Sequence, residues 1–263
     1  MHIIRPRQSA ECGRVLMLAS VVDAREAALC LESGVDVIDC KDPAQGALGA
    51  VSAEAARAIV ETVGSKVPVS ATIGDQPCEV GPTVEATLQT AATGVDYVKI
   101  GLFPGGDAVE VVHALGKLRS EIGPVQLVGV LFADTCPDFQ LVAEMASAGF
   151  AGVVLDTADK SEGSLPDVMD PGRLRRFIEL ARANGLFCGL AGSLRKRHIP
   201  ALVPLAPDLI GFRGALCRAN ARTGSLDLAA AAEIRDAIAN TVKIGTDQML
   251  SKAEEWIHEE RAS

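Results

Sequence analysis

The chain has 263 residues, with 25 Lys and Arg against 34 Asp and Glu for a formal net charge of −9, and only 3% of its residues are aromatic. The acidic balance, the lack of long basic blocks and the shortage of rings for base stacking exclude a general nucleic-acid binder. No apolar stretch approaches the roughly 20 residues needed to span a bilayer, so no membrane segment is expected.

Taken in chain order, Arg5 and Arg7 before the apolar run Val15–Val22 imitate a short secretory leader. The run stops at Asp23 and fits a first strand, so export is not expected. Val/Ile/Leu-rich runs recur at Val15–Val21, Val35–Cys40, Val67–Ile73, Val95–Leu102, Val125–Phe132, Ala151–Asp156, Leu186–Leu190 and Leu209–Phe212. They are nearly continuous rather than alternating, which is the pattern of strands covered on both faces, as in a parallel sheet. Between and after them, helical patterns are expected over Ala24–Ser33, Ala53–Val63, Thr83–Ala92, Asp107–Ile122, Pro137–Ala148, Pro171–Asn184, Ile199–Leu205 and Leu228–Asn240. Gly34, Gly94, Gly149 and Gly185 stand where the chain leaves a helix for a strand, the position that favours a left-handed residue.

Length alone is a prior for about two domains of roughly 150 residues, but single α/β barrels run to about 250. Repeated βα units predict a single (β/α)8 TIM barrel over about residues 15–241, with an additional C-terminal helix over 246–261 and one domain throughout. An open doubly wound sheet has no reason to stop at eight similar units. Seven cysteines, an odd number without C-x-x-C spacing, argue for a reducing cytoplasm and against a disulfide framework or structural zinc.

In such a barrel the chemistry gathers at the C-terminal strand ends, and side chains alternate between lumen and helix layer. Asp39 and Lys41 share a parity at the second strand's end, Lys99 falls on the fourth and Asp156 on the sixth, with Lys160 four residues on. A single lysine at a strand end is usually a solvated loop residue. Lysines at alternate strand ends with aspartates on the same side are better explained by a shared site. A lysine at its ordinary pKa of about 10.4 is protonated and cannot attack a carbonyl, but burial and neighbouring cations lower that value and permit a Schiff base. After the seventh and eighth runs, Gly192, Ser193, Arg213 and Gly214 have the composition of a phosphate grip, glycines offering backbone N–H groups and Arg213 a two-pronged donor. The bland alternative is that these glycines merely make tight βα turns. Arg195–His198 reads as a solvated basic face. No His/Asp/Glu cluster has metal-ligand spacing, so neither metal nor cofactor is expected.

Asp39-Cys40-Lys41-Asp42-Pro43 followed by Gly46-Ala47-Leu48-Gly49-Ala50 resembles the second-strand signature of the (5-formylfuran-3-yl)methyl phosphate synthases, which make the furan precursor of methanofuran and its bacterial relative. Val69–Asp75, Tyr97–Leu102, Leu155–Ala158 with Lys160, Ala191–Ser193 with His198–Pro200, and Gly211–Ala215 extend the resemblance over about residues 18–240. Cys40, where valine is expected, and the two ends depart from the pattern. The resemblance implies condensation of two glyceraldehyde 3-phosphate molecules, with Lys41 as the Schiff-base lysine, Lys99 as the main acid/base, and Asp39, Asp156 and Lys160 in support. Lys160 stays open as the nucleophile. It further implies a phosphorylated triose as partner, and self-association into a homo-oligomer is expected. The competing readings are another class I aldolase or isomerase acting on phosphosugars, and a catalytically silent barrel subunit.

Overall fold

The computed structural model describes residue 4 and residues 14–243. All the expected strands form: β1 (Leu16–Val21), β2 (Val37–Cys40), β3 (Val69–Thr72), β4 (Tyr97–Gly101), β5 (Gln126–Phe132), β6 (Gly152–Asp156), β7 (Phe187–Leu190) and β8 (Leu209–Phe212). They pair in parallel in sequence order and close when β8 returns to β1, so the fold is a TIM barrel.

Period-two alternation divides the core into two layers. Met17, Ala19, Val21, Ile38, Cys40, Val98, Ile100, Leu131, Val153 and Leu155 face the helices. Leu18, Val37, Tyr97, Val130, Val154, Phe187 and Leu209 fill the lumen. Cys40 thus occupies an apolar place between sheet and helices, where a small hydrophobe serves as well as valine. At the N-terminal end of the lumen, Tyr97 meets the Phe187 ring edge-on with centroids 5.8 Å apart. The Tyr97 hydroxyl accepts the Ile4 N–H at 2.8 Å, and Ile4 packs into this same cluster. Strand register sets the other end, placing Ser20 opposite Asp39, Asp39 opposite Ser70, Thr72 opposite Lys99 and Phe132 opposite Asp156.

Helix boundaries depart from periodicity where local chemistry intervenes. The stretch expected as one helix from Asp107 to Ile122 splits into Ala108–Gly116 and Arg119–Ile122. Gly116 is a weak helix former and lies so close to the neighbouring backbone that an added Cβ would stand 2.8 Å from the Ala148 carbonyl oxygen. The following helix begins only at Leu141, because the Asp138 side chain accepts the Gln140 N–H and holds a turn. Helix Ile199–Leu202 tightens into a 3-10 turn, Val203–Leu205, where Pro204 has no N–H to continue it. The last described helix runs over 228–243, and the helix expected over 246–261 lies outside the described residues. Among the described residues no helix is long and apolar enough to cross a membrane. Val109 and Leu228 are the exposed large hydrophobics found there.

Candidate active site

Two buried carboxylates organise the C-terminal mouth. Asp39, fully buried in β2, accepts Ser20 Oγ at 3.0 Å, Ser70 Oγ at 2.6 Å and Lys99 Nζ at 2.9 Å. Asp156 ends β6 and accepts Lys160 Nζ at 2.6 Å, Lys41 Nζ at 3.2 Å and its neighbour's N–H, Thr157, at 2.8 Å. The structure therefore brings Asp39, Lys41, Lys99, Asp156 and Lys160 together, and one cleft of about 310 Å³ is lined by all five along with Gly192, Ser193, Arg213 and Gly214. That volume lies in the range, roughly 300–1,000 Å³, typical of small-molecule sites.

The lysines are not equivalent. Lys160 donates to Asp156, to Thr157 Oγ1 at 3.1 Å and to the Thr157 carbonyl, so its ammonium donors are fully used. Lys41 has Asp156 as its hydrogen-bond partner, at the longer distance. Burial lowers the Lys41 pKa to about 8, Asp156 opposing the shift and the charges of Lys160 and Lys99 adding to it. Burial alone would raise the Asp156 carboxyl, but the charges of Lys160 and Lys41 and the hydrogen bonds from Lys160 and Thr157 hold it well below the usual carboxylate range. The pair thus sets an amine whose pKa is lowered by burial beside a carboxylate whose ionised form is favoured by its cationic and hydrogen-bonding neighbours.

The rim over β7 and β8 is built from backbone. Gly192 and Ser193 are successive left-handed residues, with φ of 104° and 50°. The N–H groups of Gly192, Ser193, Leu194 and Gly214 bond to no acceptor among the described residues, which leaves a concavity of free donors. Arg213 is placed differently from its expected role. Nε donates to the Arg222 carbonyl at 2.9 Å, Nη1 to Ser20 O at 3.1 Å and to Glu26 Oε2 at 2.5 Å, and Nη2 to Glu26 Oε1 at 3.2 Å and to Gly224 O at 3.2 Å. Every guanidinium N–H is occupied, so the fork joins β8 to the helix Ala24–Glu32 after β1 and holds the β8 loop from within.

Sequence reasoning missed Ser20 and gave Ser70 no role beyond its place in the Val69–Asp75 motif, although each is a polar interruption of an apolar strand on the lumen parity. Asp75, inside the Val69–Asp75 motif but without an expected role, accepts the N–H groups of Ala47 at 2.8 Å and Leu48 at 2.7 Å. This clamp drops Ala47 and Leu48 into the mouth beside Phe103 and Phe132, closing its β3–β5 side. Gly46 must lack a side chain there, since a Cβ would stand 2.1 Å from Asp75 Oδ2 and its φ is +125°. The basic run divides: Lys196 pairs with Glu233 at 3.0 Å on the surface, Arg195 and Arg197 reach the cleft rim, and the ring of His198 turns inward to accept the Arg195 N–H. Among the described residues no group of three or more His, Cys, Asp or Glu side chains is placed to hold a metal.

Comparison with known proteins shows which family the chain resembles in sequence and which solved barrels it resembles in fold. A family profile described as 4-HFC-P synthase matches residues 17–235. A relative from Methylorubrum extorquens, assigned to (5-formylfuran-3-yl)methyl phosphate synthase, is 41% identical over 231 residues, covering 88% of this chain and 94% of its own. The (5-formylfuran-3-yl)methyl phosphate synthase of Methanocaldococcus jannaschii is 32% identical over 232 residues, 84% of this chain and 99% of that protein. Among solved structures, 3-hexulose-6-phosphate synthase from Salmonella typhimurium superposes with a TM-score of 0.63 at 17% identity, over 86% of this chain and 100% of that one, a likeness of fold alone.

Proposed function

The chain belongs to the 4-HFC-P synthase family, and from that premise we propose that it is a lyase condensing two molecules of glyceraldehyde 3-phosphate into (5-formylfuran-3-yl)methyl phosphate through a lysine Schiff base. Two C3H7O6P give C6H7O6P with loss of one phosphoric acid and two waters, so the reaction balances without an oxidant or reductant. One triose is isomerised to the ketone, forms an imine, loses a proton to become an enamine and adds to the aldehyde of the second. Cyclisation, elimination of phosphate and dehydration complete the furan.

The observation that carries this reading is the difference between the two lysines on Asp156. Lys41 is the less hydrogen-bonded one and is depressed to about 8, which suits a nucleophile. The engaged ammonium of Lys160 suits a fixed positive charge that stabilises the ionised Asp156 and the oxyanion. Lys99, on the opposite carboxylate, is within reach as acid/base, with Asp39 holding it in position. Backbone donors of Gly192, Ser193 and Gly214 would take one phosphate, with Arg213 shaping that grip from behind.

Purified protein incubated with glyceraldehyde 3-phosphate should develop furan-aldehyde absorbance in step with inorganic phosphate. Borohydride added with triose phosphate should place the adduct on the Lys41 peptide. An adduct on Lys160 would reverse the two roles, and no lysine adduct would rule out the imine route. A trapped triose with no furan product would point instead to another class I aldolase.

A further inference from the structure

Most cations of the cleft already have a carboxylate. Lys41 and Lys160 share Asp156, Lys99 has Asp39 and Arg213 has Glu26. Of the remaining ones, Arg195 and Arg197 are exposed at the rim, whereas Arg222 is half-buried and faces no carboxylate among the described residues. A partly desolvated guanidinium without an anion is an unbalanced charge in a site that otherwise balances its charges.

Arg222 is also held in place. It lies in a loop closed by an antiparallel bridge between Cys217 and Leu226. From inside that loop, Arg213 takes the Arg222 carbonyl at 2.9 Å and the Gly224 carbonyl at 3.2 Å. The Arg222 backbone runs beside Gly214, and its side chain carries the charge away from there to the β2 loop, where Nη2 donates to Gly46 O at 2.8 Å. Gly46 is itself fixed by the Asp75 clamp on its neighbours. The guanidinium therefore bridges the β8 and β2 loops, on the opposite side of β8 from the Gly192–Ser193 donors, and keeps further N–H groups for a ligand.

We propose that Arg222 is a second anion subsite, which holds the phosphate of the second triose while the β7–β8 backbone donors hold that of the first. This rests on the synthase reading above, in which two phosphorylated trioses occupy the cleft together. Each monoester carries about −1.5 to −2 at neutral pH. The floor offers three lysines against two aspartates, too little positive charge for two such groups. Two phosphates in one backbone concavity would repel each other, so a cation outside it is required.

The test uses the full chain with Arg222→Gln and Arg222→Lys. Furan phosphate formation should fall about 10- to 100-fold in Arg222→Gln, through a raised half-saturation for triose phosphate, the scale of one lost charge-assisted contact. Arg222→Lys should recover part of it, since charge is kept and the planar fork is lost. Borohydride trapping of a single triose should be unchanged in both, because the first subsite is intact. Calorimetry with inorganic phosphate should find two equivalents in the parent and one in Arg222→Gln. Unchanged furan formation, or equal losses of trapping and synthesis, would overturn the proposal while leaving the synthase reading in place. If the parent makes no furan phosphate, that reading fails, and retention of both phosphate equivalents by Arg222→Gln would sink the second subsite independently. If Arg222→Gln does not fold, the same comparisons apply to Arg222→Lys, for which undiminished synthesis overturns the proposal.

Discussion

The two ends of the barrel lumen use the same strands and the same inward parity, yet they are chemically opposite. Two residues along β2 change Val37 into Asp39, and two along β4 change Tyr97 into Lys99. Along β6, Val154 gives way to Asp156. The N-terminal end buries apolar and aromatic surface, which stabilises the barrel by removal of that area from water. The C-terminal end buries ion pairs, whose attraction does little more than offset the cost of taking charges out of water. A strand therefore carries a packing half and a chemical half, and substitutions in the two should separate stability from turnover.

The largest expected effect is on turnover at the ionic end. Lys99→Ala and Asp156→Asn should each lower kcat by about 10²- to 10⁴-fold with little change in KM, the range of a positioned acid/base group. A variant with normal kcat and strongly raised KM would move that residue from proton transfer to binding.

A stability cycle tests whether the ionic end holds the barrel together. Asp39→Leu alone leaves the buried Lys99 ammonium without its counter-charge and should cost about 3–5 kcal/mol by urea unfolding. Asp39→Leu with Lys99→Met should recover most of that stability and remain inactive. A double variant as unstable as the single one would mean that the pair contributes to packing as the apolar end does.

Smaller shifts should appear in the pH dependence of imine formation. The reactive amine is the neutral form, so the trapping rate should rise with pH and level off above about 8. Asp156 raises the Lys41 pKa, so Asp156→Asn should move the limb to lower pH. Lys160 lowers it, so Lys160→Met should move the limb to higher pH. Shifts of the same sign in both variants would contradict this electrostatic picture.

The smallest effect belongs to the apolar end. Tyr97→Phe removes the hydroxyl that receives the Ile4 N–H and should cost about 0.5–1.5 kcal/mol with kcat unchanged. A fall in kcat there would show that the two ends are coupled.

Much of the site is legible in the sequence because it depends on period two and on strand ends. Asp39, Lys99 and Asp156 share a face with Val37, Tyr97 and Val154 by spacing alone, and the closed barrel makes that face the lumen. The part Ser20 and Ser70 play on that face is not legible, since a serine in an apolar strand carries no charge and its partner Asp39 comes from a neighbouring strand. The role of Arg213 was not legible, because its partner Glu26 lies 187 residues away and meets it only when β8 closes on β1. Helix breaks at Gly116 and Asp138 were hidden for a related reason, a close backbone approach in one case and a side-chain turn overriding periodicity in the other.

By itself, then, the sequence determined which segments are strands, which residues of each share a face, and that charge collects where strands end. These follow from apolar runs, turn residues and the period of two in an extended chain, which act within a few residues. Only the tertiary structure decided which donors remain free. Barrel closure brings Lys41 to the carboxylate that Lys160, four residues along the chain from Asp156, already engages, fills every N–H of Arg213 and leaves those of Gly192 and Ser193 open. Hydrogen-bond capacity is finite and is shared among groups distant in the chain, so a residue's type tells what it can bind, and its neighbours in space tell whether that capacity is already taken.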